Sequence, residues 1–117
     1  METIEKTVLD YLSAHLDDVY VGMEAPERLD GYVLIEKTGS TTENHITTAT
    51  IVTQSYGATM YDALVLNEEV KQAMAGLVEV ASVSGVKLDT DYNYTNTATK
   101  QYRYQAVFQI THYLGGF

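Results

Sequence analysis

The stretch from Tyr102 to Thr111 constrains the fold more than any other part of this chain. Tyr102, Tyr104, Ala106, Phe108 and Ile110 fall at every second position, while Arg103, Gln105, Gln109 and Thr111 fall between them, Val107 being the exception. A period of two puts successive side chains on opposite faces, so the pattern predicts a β-strand with one dry face and one wet face. Such a strand needs neighbours for its backbone and a cover for its apolar side. Two helical stripes can provide the cover. Ile4, Val8, Tyr11, Leu12 and Leu16 mark one helical face over 2–16, with Glu2 and Glu5 suited to the positive end of the helix dipole. Ala63, Leu66, Val70, Ala73 and Leu77 recur at steps of three and four and predict a second helix over 58–76, with Gly76 near its end.

The neighbours are also legible. Val19-Tyr20-Val21 reads as a short strand closed by Gly22 and the Glu24–Glu27 loop, and Tyr32–Ile35 as a strand buried on both faces. His45 to Tyr56 is nearly all β-branched, with Ile46, Thr48, Thr50 and Val52 on one side and Thr47, Ala49, Ile51 and Thr53 on the other. It pairs most simply as a hairpin with 32–38. Val78 to Leu88 predicts a strand interrupted at Ser84-Gly85 by a bulge or turn. Lys37 to Asn44 and residues 89–100 are polar and predict two loops, both longer than the two to five residues of ordinary hairpin connections. Gly115-Gly116 frees the C-terminus. The expected architecture is one α+β domain over 1–117, with two helices packed on one face of a mostly antiparallel sheet of four to five strands.

Composition narrows what such a domain does. The absence of Cys excludes a disulfide framework, thiolate metal sites and a Cys nucleophile. No apolar run approaches the ~18 residues of a membrane span, and the opening METIEKTVLD lacks the basic start and apolar core of a signal peptide. Seven Lys+Arg against 16 Asp+Glu give a net charge of −9, which opposes unaided binding to a nucleic-acid backbone. The charge is uneven. Residues 1–36 hold nine acids and two bases, whereas residues 92–117 hold no acid and only Lys100 and Arg103. Such opposed ends suit association between copies, since complementary patches steer and register encounter.

Convergent chemistry is hard to find. The glycines form no phosphate-binding motif. His15, His45 and His112 fall in three different elements without metal spacing, and Ser13 and His15 point apart on a helix. Asp17-Asp18 and Glu68-Glu69 diverge as adjacent residues; Asp89 and Asp91 alone would share a strand face as a paired acid or weak cation site. The expectation is therefore a non-enzyme without cofactors or metal. The two polar loops remain as candidate contacts, the second carrying Tyr92 and Tyr94, rings of the kind enriched at interfaces.

With these elements in order, residues 4–113 resemble the small tail terminator (tail completion) proteins of long-tailed bacteriophages. The resemblance rests on the Ile4…Val8…Leu12 helix, Val19-Tyr20-Val21, the lone Pro26 before Tyr32–Gly39, Thr48–Tyr56 running into the helix with Tyr61-Asp62-Ala63, and the closing Tyr102–His112. The final stretch, Arg103-Tyr104-Gln105 followed by an alternating strand and His112, is the most family-like. The resemblance implies a virion protein assembled in the host cytoplasm, whose copies close into a ring, commonly a hexamer, on the head-proximal end of the tail tube. It implies tail tube protein and a head-completion or connector protein as partners, DNA passing through an acidic lumen without specific binding, and no membrane. Thr41, Thr42 and Glu43 in the first loop, Tyr92, Tyr94 and Lys100 in the second, and Arg103 at the start of the last strand are the candidate contact residues. Three other readings compete: a neighbouring head-completion component, an acidic binding module that mimics DNA, and a small enzyme using Asp89, Asp91 and a histidine.

Overall fold

The computed structural model describes residues 3–27 and 31–113 of the chain. Glu2, Arg28, Asp30 and Gly115-Gly116 lie outside the described residues. The first helix, α1, runs Ile4–His15 and begins where Thr3 accepts a hydrogen bond from the Lys6 amide at 3.2 Å, the side-chain cap that satisfies an orphan donor of the first turn. After it come β1 (Tyr20–Gly22), β2 (Tyr32–Glu43), β3 (Ile46–Gly57), α2 (Met60–Ala75), β4 (Val83–Asn93) and β5 (Tyr102–Tyr113), with one 3-10 turn at Gly76–Glu79. Thr59 caps α2 as Thr3 caps α1, accepting from the Asp62 amide at 3.1 Å. Gly57 ends β3 because a Cβ there would stand 2.5 Å from the Ala63 nitrogen, so the strand could not meet the first turn of α2 so closely.

The five strands form one sheet in the order β1-β2-β3-β5-β4. Only β1–β2 is parallel; the other three pairings are antiparallel. Both helices cover the same face. Ile4, Val8 and Leu12 from α1, Leu16 just after it, and Leu66, Val70 and Met74 from α2 meet Val33, Ile35, Ala49, Ile51, Ala106, Phe108 and Ile110 from the strands in one buried cluster. Each fully buried aliphatic side chain contributes about 1.5–3 kcal/mol by leaving water. The predicted α+β architecture and both helical stripes are therefore observed, as is the β2–β3 hairpin.

The polar segments differ from expectation. Lys37 to Asn44 is not a loop. β2 continues to Glu43, pairing Gly39 with Thr50 and Glu43 with Ile46, and only Asn44 and His45 make the turn. Both turn residues have positive φ, 54° and 67°, the backbone that a two-residue hairpin of native twist requires. Asn44 suits it; His45 is an unexpected occupant. A bulge at Thr38 shifts the register in the middle of the arm. Residues 89–100 are a loop only in part, from 94 onward. β4 runs to Asn93, the Tyr94 amide donates to the Arg103 carbonyl at 2.9 Å, and Asn96 pairs with Gln101. Conversely, the strand expected from Val78 begins only at Val83, because Gly76–Glu79 continues the helix as a 3-10 turn. The irregularity predicted at Ser84-Gly85 is present.

Strand order leaves two lateral edges of different character. β1 covers β2 only from Tyr32 to Leu34, so among the described residues Ile35–Glu43 pairs with no strand on its outer side. On the far side β4 pairs, among the described residues, with β5 alone. The molecule is elongated along the strands, 45 × 24 × 22 Å.

Candidate functional site

The sheet face opposite the helices carries cross-strand rows of polar and aromatic residues. Across one end, Tyr20, Tyr32, Tyr56 and Arg103 align through β1, β2, β3 and β5; the next row is Leu34, Gln54, Gln105 and Tyr92. The Tyr32 and Tyr56 rings stack with centroids 4.5 Å apart. Arg103 Nη1 donates to the Tyr56 hydroxyl at 3.2 Å and Nε donates to the Tyr94 carbonyl at 2.7 Å. Its guanidinium lies over the Tyr94 ring at 4.5 Å and over the Tyr56 ring at 5.8 Å from the centroids, within cation–π range of both.

The network closes on itself. The Tyr56 hydroxyl donates to Gln54 Oε1 at 3.1 Å, Gln54 Nε2 donates to Gln105 Oε1 at 2.8 Å, and Gln105 Nε2 donates to the Tyr92 hydroxyl. Tyr92 meets Tyr94 edge to face at 5.9 Å, returning to Arg103. Tyr32 and Tyr56 are buried, whereas Tyr92 and Tyr94 remain 41% and 45% exposed. Burial, with Tyr56 alongside, raises the Tyr32 hydroxyl above its ordinary pKa. The result is a fixed base with an exposed aromatic rim, an arrangement that loses little conformational entropy when covered.

Beyond this corner, the β4–β5 hairpin ends in a tight tip. Asn96 Oδ1 accepts from the Ala98 and Thr99 amides at 3.2 and 3.4 Å, and Lys100 takes a positive φ of 55°. An open cleft of about 500 Å³ separates the tip from the stacked tyrosines, with Lys100, Tyr32, Tyr56 and Tyr102 in its walls.

Of the seven candidate contact residues, Tyr92, Tyr94, Lys100 and Arg103 share this corner. Thr41, Thr42 and Glu43 do not join them. They sit on the β2 arm at the opposite end of the sheet, where Thr42 and Thr47 hydroxyls meet at 2.9 Å. Ile46 and Tyr56, which mark the two ends along β3, are ten residues apart, roughly 33 Å at the usual rise per strand residue. Gln54, Tyr56 and Tyr32 were not predicted as site residues. Their signal lay in the hairpin register, which sets Tyr32 opposite Tyr56 once 32–38 is paired with 45–56.

The Asp89–Asp91 pair also fails. A register shift between Leu88 and Thr90 inserts Asp89 as an extra residue. Asp89 therefore accepts from Gln109 Nε2 on the open face at 3.3 Å, whereas Asp91 accepts from Asn67 and Lys71 of α2, both at 2.9 Å. The histidines stay apart. His15 stacks on Tyr11, His45 occupies the hairpin turn, and His112 Nδ1 lies 3.2 Å from the Tyr113 carbonyl. Among the described residues no three His, Asp or Glu side chains are grouped to hold a metal ion, and no helix is long and apolar enough to cross a membrane.

The charges sort by position. Lys6 pairs with Asp10 at 2.7 Å, Lys37 with Glu5 at 3.6 Å, and Lys71 with Glu68 and Asp91 at 2.6 and 2.9 Å. The three described cations without a carboxylate partner are Lys87, Lys100 and Arg103, and all lie on the β4–β5 hairpin. The exposed acids Asp17, Asp18, Glu24 and Glu27 flank β1 and have no cation partner among the described residues. β1 and β4 are separated by four strand spacings, roughly 19 Å. No protein-family model matches the chain, and no curated protein is similar to it in sequence.

Proposed function

We propose that this chain is a virion assembly subunit whose copies form a ring, a hexamer by resemblance to tail terminators, that caps a phage tail tube, ends tube growth and presents a surface to the head connector. The observation that carries this reading is the pair of unlike, strand-free lateral edges, Ile35–Glu43 of β2 and the outer side of β4. An edge strand offers unpaired backbone groups to another chain. When two different edges meet, the contact is head to tail, and such contacts close into rings where the rotation permits. The order of elements, with a helix leading a mixed sheet and a long alternating strand closing it, adds support through the tail terminator resemblance. An acidic chain also suits a lumen through which DNA must slide without adhering.

In this reading the β2 arm and the tyrosine–arginine corner, at opposite ends of the long axis, would face different neighbours. Electron microscopy of polymerising tail tube protein tests the function. Added in equimolar amount to the tube ends, the protein should leave tubes with a ring at one end and stop their lengthening. Tubes that grow to the same lengths with and without it would contradict the reading.

A further inference from the structure

We infer that the basic tip of the β4–β5 hairpin docks on the acidic β1 edge of a second copy of this chain. This inference rests on the ring reading and names the surfaces that would join its subunits. The first ground is charge. In a chain with 16 acids and seven Lys+Arg, a cation would be expected to find a carboxylate at home, and Lys6, Lys37 and Lys71 each do. Among the described residues Lys87, Lys100 and Arg103 do not, and they share one hairpin with Tyr92 and Tyr94 exposed beside them.

The second ground is position. Ten described acids have no cation partner, and Asp17, Asp18, Glu24 and Glu27 among them lie on both sides of β1. β1 and β4 occupy opposite lateral edges of one sheet, and the hairpin tip lies at the end of the sheet where β1 begins. Between chains the tip and the edge are complementary in charge, and a head-to-tail arrangement repeats that contact from copy to copy. The third ground is preparation. The hairpin tip is held by its own hydrogen bonds through Asn96, and Arg103 is fixed between Tyr56 and Tyr94. A rigid aromatic surface with a cation at its rim is the composition of an interface anchor. Duplex DNA would also attract Lys100 and Arg103, but a net charge of −9 opposes it, whereas an identical acidic chain supplies its own complement.

Two single variants and their mixture test the docking. Lys100→Glu reverses the tip and Glu24→Lys reverses the edge; neither side chain makes an internal contact that holds the fold. In light scattering at low salt, each variant alone should associate about ten-fold more weakly than wild type, because like charges then face each other. Mixed in equal amounts, the two should recover assembly, since every reversed tip then finds a reversed edge. Association of either variant at wild-type strength would overturn the docking and leave the ring reading standing. Weakening without recovery on mixing would also overturn it. A wild-type chain that forms no oligomer would overturn both. A monomeric wild type that binds duplex DNA through Lys100 would overturn the inference in favour of nucleic acid.

Discussion

Individual side chains carry strain and polarity that the fold tolerates. His45 is held at φ 67° in the two-residue turn between β2 and β3, a conformation that costs a residue with a Cβ roughly 1–2 kcal/mol. His45→Gly should therefore stabilise the protein, by about 0.5–1 kcal/mol after the added freedom of the unfolded chain is offset, seen as a higher urea midpoint with the same slope. Thr53 is fully buried beneath α2, and its hydroxyl has no hydrogen-bond partner among the described residues. Thr53→Val keeps the shape and removes that unpaired group, so thermal unfolding should report a gain of about 1 kcal/mol. A loss at that position would mean the hydroxyl is satisfied. Lys71 is held above its ordinary pKa first by its hydrogen bond to Glu68 and then by that to Asp91. A raised folded-state pKa gives stability that is complete below the unfolded value and is lost as pH rises through the folded one. The window is thus alkaline, above about pH 10. Denaturation curves should fall off there in the wild type, and less steeply in Lys71→Met, with the part due to the raised Tyr32 hydroxyl remaining.

At the scale of elements, both hairpins reach further than their composition suggests. The apolar stripes of α1, α2 and β5 were readable because burial on one face imposes a period, and Ile4, Val8, Leu12, Ala106, Phe108 and Ile110 are indeed buried. Thr41–Glu43 and Tyr92–Asn93 carry no such stripe. Their strands are set by register, cross-strand hydroxyl and amide contacts, and turn backbone rather than by dry packing. A turn of Asn44 and His45 lacks the glycine that usually announces a two-residue hairpin. The same reason hid half of the candidate site. Tyr92, Tyr94 and Arg103 stood out by residue type, but Gln54, Tyr56 and Tyr32 join them only through pairing across four strands. A bulge, invisible in the letters, sent Asp89 and Asp91 to opposite faces. Hydrogen exchange checks the ordered hairpin. The amides of Tyr94, Asn96 and Gln101, each bonded across the β4–β5 tip, should exchange more slowly than unstructured peptide by about ten-fold or more. Exchange at the unstructured rate would restore the loop first read there.

The whole molecule is an open sheet with helices on one side and, among the described residues, two unlike free edges, with unpaired cations on the β4–β5 hairpin and unpaired acids on both sides of β1. Nothing in its core requires a partner, since the helices already cover the apolar face. Its edges are another matter. Among the described residues they carry strands without neighbours, exposed tyrosines and cations without carboxylates, features that the proposed head-to-tail contact would satisfy together. Closure would then decide between a ring and a filament, and the taper of the subunit decides closure. Light scattering behind size exclusion, run at low salt over a wide range of concentrations, tests this most directly. A head-to-tail ring predicts one discrete species, six chains of 13.0 kDa or another fixed multiple, that stops growing with concentration and loosens as salt rises. A chain that stays at its monomer mass throughout, or one that grows without limit, would contradict it.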